Sequence, residues 1–405
     1  MKAGWKTVKL GDIALVGAGN SAPQDDADFS TDGPYFVRTS DVGEVKFGTV
    51  NSSNDRLSSK GAKGMRLWKE GTILIPKSGA STFVNHRVIL GLDAHVSSHL
   101  ATIQAEPTRC DARYLLYYLS TVKAQDLIQD QSYPSLKLPE IAGIEIPLPP
   151  VAEQKRIVAL LDEAFAGIDE AKAKTEANLE KATAVFESHL QSLFAIDNPD
   201  WARAKLSSLT TKIGSGATPR GGEESYKDEG VSLIRSLNVH DYGFKYAKLA
   251  FLDAVQAEEL SGVTVQENDV LLNITGASVA RCTIVPRGVL PARVNQHVAI
   301  IRPMPEKVSS AFLHYLLISQ PYKSRLLETG EEGGSTRQAI TKAQLLEFTI
   351  SHPVSVETQQ ATAKHLDEVR EQTQRLSQLH KQRLDALSAL KQSILSQAFA
   401  GELTA

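Results

Sequence analysis

Two stretches of the chain place an apolar or small residue every three or four positions for about twelve helical turns. From Glu153 to Ala195 the series is Ile157, Leu161, Ala164, Ile168, Ala171, Thr175, Leu179, Ala182, Phe186, Leu190 and Leu193, without a proline. From about Thr358 to Ala400 it is Leu366, Val369, Thr373, Leu376, Leu379, Leu384, Leu387, Leu390 and Ile394, again without proline. Both patterns predict long amphipathic helices. About 43 residues rising 1.5 Å each make a rod of roughly 65 Å, too long for one small domain to cover. Each seam therefore needs a partner, and two seams of equal length can bury each other as a coiled coil.

The remaining segments, 1–150 and 201–352, read differently. They are dense in glycine and carry short β-rich runs such as Thr72-Ile73-Leu74-Ile75 and Val270-Leu271-Leu272, each after a turn. One helix is expected in each: Ala112–Gln129, with Tyr114, Leu115, Tyr118 and Leu119 as core, and Ser310–Glu328, with Phe312, Leu313, Leu316 and Leu317. Both segments read as mixed α and β.

These elements occur twice in the same order. Trp5 to Ala195 matches Trp201 to Ala400: Arg38 aligns with Arg235, Gly79-Ala80-Ser81 with Gly276-Ala277-Ser278, His99 with His297, and Asp162-Glu163 with Asp367-Glu368. The expected class is α+β, a pseudo-two-fold repeat of two mixed domains separated by two long helices. Expected boundaries are 1–150, 151–197, 198–353 and 354–405. Because the second globular segment enters from the end of one helix and returns to the start of the other, the helices should run antiparallel. That would set the two globular segments at opposite ends of the rod.

Composition narrows the function. With 44 basic and 47 acidic residues the net charge is -3, so any nucleic-acid contact must come from local patches. No apolar run approaches the roughly 20 residues of a membrane span, and the first residues lack a signal-peptide stretch, so a cytoplasmic protein is expected. Cys110 and Cys282 do not match in the repeat and suggest buried thiols.

Recurrent polar segments are the candidate contacts. Arg38-Thr39-Ser40-Asp41 and Lys77-Ser78-Gly79-Ala80-Ser81 match Arg235-Ser236-Leu237-Asn238 and Asn273-Ile274-Thr275-Gly276-Ala277-Ser278. A third pair precedes the long helices, Tyr133 and Lys137 against Arg337. Arginine can bond guanine bidentately, asparagine adenine, and hydroxyls or backbone amides can take phosphate or base edges. Each arginine can equally pair with a carboxylate inside the fold, and the glycines can simply make turns. Arg38, Lys77, Arg235 and Asn273, each in a polar segment at a repeated framework position, are the leading candidates for such contacts.

Catalytic patterns are missing. Gly17-Ala18-Gly19 and its match Gly214-Ser215-Gly216 read as turns rather than a cofactor loop. His95 and His99 stand four apart, but the repeat has Arg293 in place of His95 and no further ligand cluster surrounds them. There is no P-loop, no HExxH, no Asn-Pro-Pro-aromatic run and no nuclease metal pattern. The chain reads as a binding device without chemistry of its own.

Each half also carries a proline-containing entry, Ile146-Pro147-Leu148-Pro149-Pro150 or Ile350-Ser351-His352-Pro353. Next come Glu153-Gln154 or Glu357-Thr358-Gln359, then Leu160-Leu161-Asp162 or His365-Leu366-Asp367, and the last motif is Ala398-Phe399-Ala400-Gly401-Glu402-Leu403. Over the whole chain this resembles the specificity subunit of type I restriction-modification systems. The second copy departs from the pattern where Thr358 separates Glu357 from Gln359, a departure read as drift. The resemblance implies two target-recognition domains, each reading one half of a bipartite, asymmetric site on double-stranded DNA, with the helices setting the unread gap. It further implies docking of two methyltransferase subunits, which would supply S-adenosylmethionine, and of two restriction subunits, which would supply ATP- and Mg-dependent work. No cofactor is expected in this chain. A coiled-coil scaffold with paired protein-binding domains is the alternative from another class, and a methyltransferase with unrecognised motifs is a third.

Overall fold

The computed structural model describes residues 4–128, 134–195, 198–331 and 339–403. The chain divides into two compact units, one of residues 1–176 with 382–405 and one of residues 177–381, so both long helices contribute to both units.

In the first unit a five-stranded sheet has the order Ala14–Ala18, Leu100–Ala105, Ile73–Pro76, Arg87–Leu90, Phe47–Val50, with only the last pair parallel. Tyr35–Val37 pairs in parallel with Ala94–Val96, and Lys6–Lys9 pairs antiparallel with Glu145–Leu148, just before the first long helix. The helix Ala112–Thr121 lays Tyr114, Leu115 and Leu119 against Ile73, Ile75 and Ile103 of the sheet and Ile157, Leu161 and Phe165 of the long helix. All are apolar groups removed from water together, the main source of folding free energy.

The second unit repeats this plan. Thr210–Ser215, Val298–Pro303, Val270–Asn273 and Cys282–Ile284 form the main sheet, Val231–Ile234 pairs in parallel with Ala292–Val294, and Ala202–Lys205 pairs with Thr349–His352. The register of the entry pair is the same in both copies, Lys6 opposite Leu148 and Ala202 opposite His352.

The long helices span Val151–Leu193 and Val356–Ala400, two residues earlier than expected at each start. They pair antiparallel. In the first unit Arg156 donates to the Leu403 carbonyl at 2.9 Å and Lys391 reaches Asp169 at 3.3 Å; in the second His189 meets His365. On the first helix Ile157, Leu161, Ile168, Ala182, Phe186 and Leu190 are buried as expected. On the second helix part of the expected seam is wrong: Leu376, Leu379 and Leu390 are 48%, 59% and 47% exposed. Each step of three residues turns about 60° short of a full circle, so Thr373, Leu376 and Leu379 in succession leave the buried stripe.

Two shorter helices also differ from expectation, one ending early and one broken in two. Ala112–Thr121 stops because Ala124 is drawn aside, its amide donating to the Asn85 side chain at 2.7 Å. The expected helix Ser310–Glu328 breaks at Ser319 into Ser310–Ile318 and Gln320–Glu331. In a continuous helix Pro321 would have no N–H to give the Leu317 carbonyl and its ring would clash with it, whereas it fits the first turn of a new helix. Among the described residues no helix is long and apolar enough to cross a membrane.

Candidate nucleic-acid interface

The repeated motifs at the helix starts are joints. Gln154 is fully buried; its side chain accepts from the Asp111 amide at 2.7 Å and donates to the carbonyls of Arg109 at 3.0 Å and Pro149 at 2.8 Å. Gln359 does the same with the Ser309 amide at 2.8 Å, the Lys307 carbonyl at 3.1 Å and the Pro353 carbonyl at 2.8 Å. Thr358 is therefore no interruption, since Gln359 stands where Gln154 stands. Eight residues on, Asp162 accepts from the Tyr117 hydroxyl and Asp367 from the Tyr315 hydroxyl, both at 2.5 Å. Each globular segment is thus held to the long helix by the bonds of a buried glutamine, costly to leave unmade, and by a part-buried tyrosine–aspartate bond.

At one end of each main sheet, its strand termini and those of the separate sheet holding the parallel pair gather the polar segments. In the first unit the Ser97 amide donates to the Val37 carbonyl at 2.9 Å, next to Arg38. The Lys77 amide donates to His99 at 2.9 Å, and Leu136 donates to Lys77 at 2.8 Å. The second unit has the matching bonds: Asn295 to Ile234 at 3.1 Å, Ile274 to His297 at 3.0 Å and Ile340 to Ile274 at 2.8 Å. Segments distant in sequence therefore form one polar edge per unit. Gly19 and Gly216 lie against the backbone of this edge, where a Cβ would come within 2.0 Å of the Val96 oxygen and 1.6 Å of the Val294 oxygen. Gly17 and Gly214 lie inside the strands Ala14–Ala18 and Thr210–Ser215, and Gly19 and Gly216 follow those strands directly, so the expected turns are not made and the role of Gly19 and Gly216 is close packing.

The candidate side chains differ in availability. Arg38 is 40% exposed, ion-paired with Asp55 and placed over the rings of Phe29 and Phe36. Arg235 is only 13% exposed, bonded to Glu223 at 2.6 Å and to the Lys248 carbonyl at 2.8 Å. Thr39 and Ser40 open a helix, Thr39–Val45, rather than a loop, and buried Asp41 accepts from the Arg38 amide at 2.7 Å. In the second unit Ser236–Asn238 is a single tight turn, with Asn238 accepting from the Arg235 amide at 3.0 Å. Asn238 and Asn273 are fully buried. The Asn238 amide donates to Lys245 at 2.8 Å and that of Asn273 to the Ser236 carbonyl at 2.9 Å and to Ser278 at 3.1 Å. As placed, these two hold loops in shape and do not offer their amides outward, correcting the expectation for Asn273.

Gly79 and Gly276 are exposed with φ of +71° and +76°, a conformation other residues adopt with strain. Lys77 is half-buried and Lys137 exposed, and among the described residues neither side chain has a carboxylate partner. Ser81 donates to the Ser78 carbonyl at 3.0 Å. Tyr133 and Arg337 lie outside the described residues.

One feature escaped the sequence reading. The Ser78 hydroxyl lies 2.7 Å from Nδ1 of His99, and Thr275 lies 2.5 Å from Nδ1 of His297. The only signal was the alignment of the two histidines in the repeat. His95, by contrast, is buried with Nδ1 3.0 Å from the Arg66 carbonyl, away from any joint site with His99. Among the described residues no group of three His, Cys, Asp or Glu could hold a metal ion. Both cysteines are free and buried, and burial pushes the Cys110 thiol up to about 12.

Residues 2–181 and 199–387 each match the family described as type I restriction modification DNA specificity domain. The Escherichia coli type I restriction enzyme EcoBI specificity subunit is 22% identical over 99% of this chain and 86% of its own length. The MjaIX specificity subunit of Methanocaldococcus jannaschii is 28% identical over 40% of this chain and 38% of its own. Two solved structures share the fold at 20% identity, each covering 100% of this chain. A chain from work on complex assembly and conformational transition of the type I R-M system has a TM-score of 0.78 and is covered to 99%. The HsdS subunit from Thermoanaerobacter tengcongensis has a TM-score of 0.62 and is covered to 98%. With two family matches spanning nearly all of its residues, the chain belongs to the type I restriction-modification DNA specificity family.

Proposed function

We propose that each unit reads one half of a bipartite, asymmetric site on double-stranded DNA through the polar edge of its main sheet. The observation that carries this reading is that both edges are assembled by the same backbone bonds while their exposed side chains differ. A shared frame with different surfaces suits two related half-sites of different sequence. Arg38, Thr39, Ser40, Lys77, Ser78, Gly79, Ser81 and Lys137 form the first reading surface, and Arg235, Ser236, Thr275, Gly276 and Ser278 the second. Asn238 and Asn273 support it from beneath.

The long helices would set the unread gap and dock the other subunits. Leu376, Leu379, Leu390 and Val185 are large apolar groups left exposed on them, which suits contact with a further protein. Two methyltransferase subunits docked there would bring S-adenosylmethionine, and two restriction subunits ATP and Mg; this chain would supply recognition alone. Exchange of residues 201–350 for the corresponding segment of a relative tests the reading. Methylome sequencing should show one half of the methylated motif changed and the other kept, whereas change in both halves overturns independent reading.

A further inference from the structure

The hydroxyl–histidine pairs are a repeated polar arrangement at these edges, with His99 exposed and His297 half-buried. Each histidine is fixed in three ways. Its carbonyl accepts a backbone amide from the neighbouring strand end, Lys77 or Ile274. Its amide is met by a side-chain oxygen two residues earlier, Ser97 Oγ at 3.4 Å or Asn295 Oδ1 at 3.1 Å. Its Nδ1 is held by Ser78 or Thr275. A ring tethered at Nδ1 has only Nε2 left to offer, in a fixed direction and with little rotamer freedom to lose on binding.

Beyond Nε2 the units diverge. His99 is exposed, and among the described residues its Nε2 has no partner. His297 is half-buried, with Nε2 3.1 Å from the side-chain nitrogen of Gln296, an exposed residue that also accepts from the Thr218 hydroxyl. The amide donating to Nε2 puts the remaining ring proton on Nδ1, directed at Thr275. In this unit the histidine is a buttress and the glutamine the outermost group. Residue 98, which matches Gln296, is serine in the first unit, too short to cover the ring.

We infer that this braced turn is a specificity-determining element in each unit, touching DNA through Nε2 of His99 in one and through the side-chain amide of Gln296 in the other. Both groups suit base edges: an imidazole N–H can donate to a purine N7, and a glutamine amide can pair with adenine. The assignment rests on the DNA reading above and adds which atoms discriminate.

The test replaces the chromosomal gene with His99→Ala, His99→Gln, Gln296→Ala or Ser78→Ala, followed by methylome sequencing of strains that retain their own modification subunit. His99→Ala should relax one position in one half of the motif, with discrimination there falling about tenfold or more, and Gln296→Ala should do so in the other half. Ser78→Ala, which frees the ring without removing it, should relax the same position as His99→Ala by a smaller factor. An unchanged motif in both His99 variants and in Gln296→Ala overturns the assignment. A uniform drop in methylation with every motif letter kept also overturns it, because that is the mark of phosphate contact. Deletion of the gene distinguishes the two levels: a methylome unaffected by deletion means that the DNA reading itself has failed.

Discussion

Arg38 and Arg235 occupy matched positions at matched strand ends, yet Arg38 leaves 40% of its side chain to solvent and Arg235 only 13%. The difference comes from the loops above them. Arg38 meets one carboxylate, Asp55, and the rings of Phe29 and Phe36, whereas Arg235, beside Glu223 and the ring of Tyr226, is also bonded to the Lys248 carbonyl. At the helix joints the copies share the glutamine bonds of Gln154 and Gln359 and the tyrosine–aspartate bonds of Asp162 and Asp367. A buried polar group without a partner costs about 1–3 kcal/mol, so the frame has little freedom to vary. An exposed side chain costs little to exchange, and there the units part.

Truncating the frame at matched core positions should have the largest effect. Leu161→Ala and Leu366→Ala, both fully buried, should each lower stability by about 2–5 kcal/mol in chemical denaturation. A near-zero effect at one of them would break the equivalence of the two helix starts. Gln154→Ala and Gln359→Ala come next, at about 2–3 kcal/mol each, since each strands a buried amide and two carbonyls. Unequal losses would show that one joint carries more of the domain's attachment than the other. Gly79→Ala and Gly276→Ala should cost about 1–3 kcal/mol through backbone strain at positive φ alone, because open space surrounds both Cβ positions. A larger loss measured by thermal unfolding would mean that these loops also support the core. Leu376→Ala should change stability by at most about 0.5 kcal/mol. If the exposed leucines serve docking, Leu376→Ala should nevertheless weaken co-purification with a methyltransferase partner; an unaffected complex would remove Leu376 from the docking surface.

The long helices were legible because an apolar stripe of period 3.6 needs no tertiary information, and their observed starts differ from expectation by two residues. Leu376, Leu379 and Leu390 were misread for the same reason: periodicity finds apolar residues but not the width of the surface that covers them. Arg38 and Arg235 could be paired by the repeat, but their exposure depends on residues such as Asp55 and Lys248, whose proximity no local pattern encodes. Asn273 looked like loop material but ends the strand Val270–Asn273, where it is buried with its amide donated to the Ser236 carbonyl of the neighbouring turn.

Sequence alone therefore determined the duplication, the order of elements, the two helical stripes and the family, all of which rest on local periodicity or on residues repeated at nearly constant spacing. The tertiary structure decided which polar residues serve the frame and which face outward. That choice is set by hydrogen bonds between strand ends far apart in the chain, among them Ser97 to Val37, Lys77 to His99 and Ser78 to His99. Such bonds form only once the sheet has brought those ends together, and their energy depends on burial that no single segment possesses.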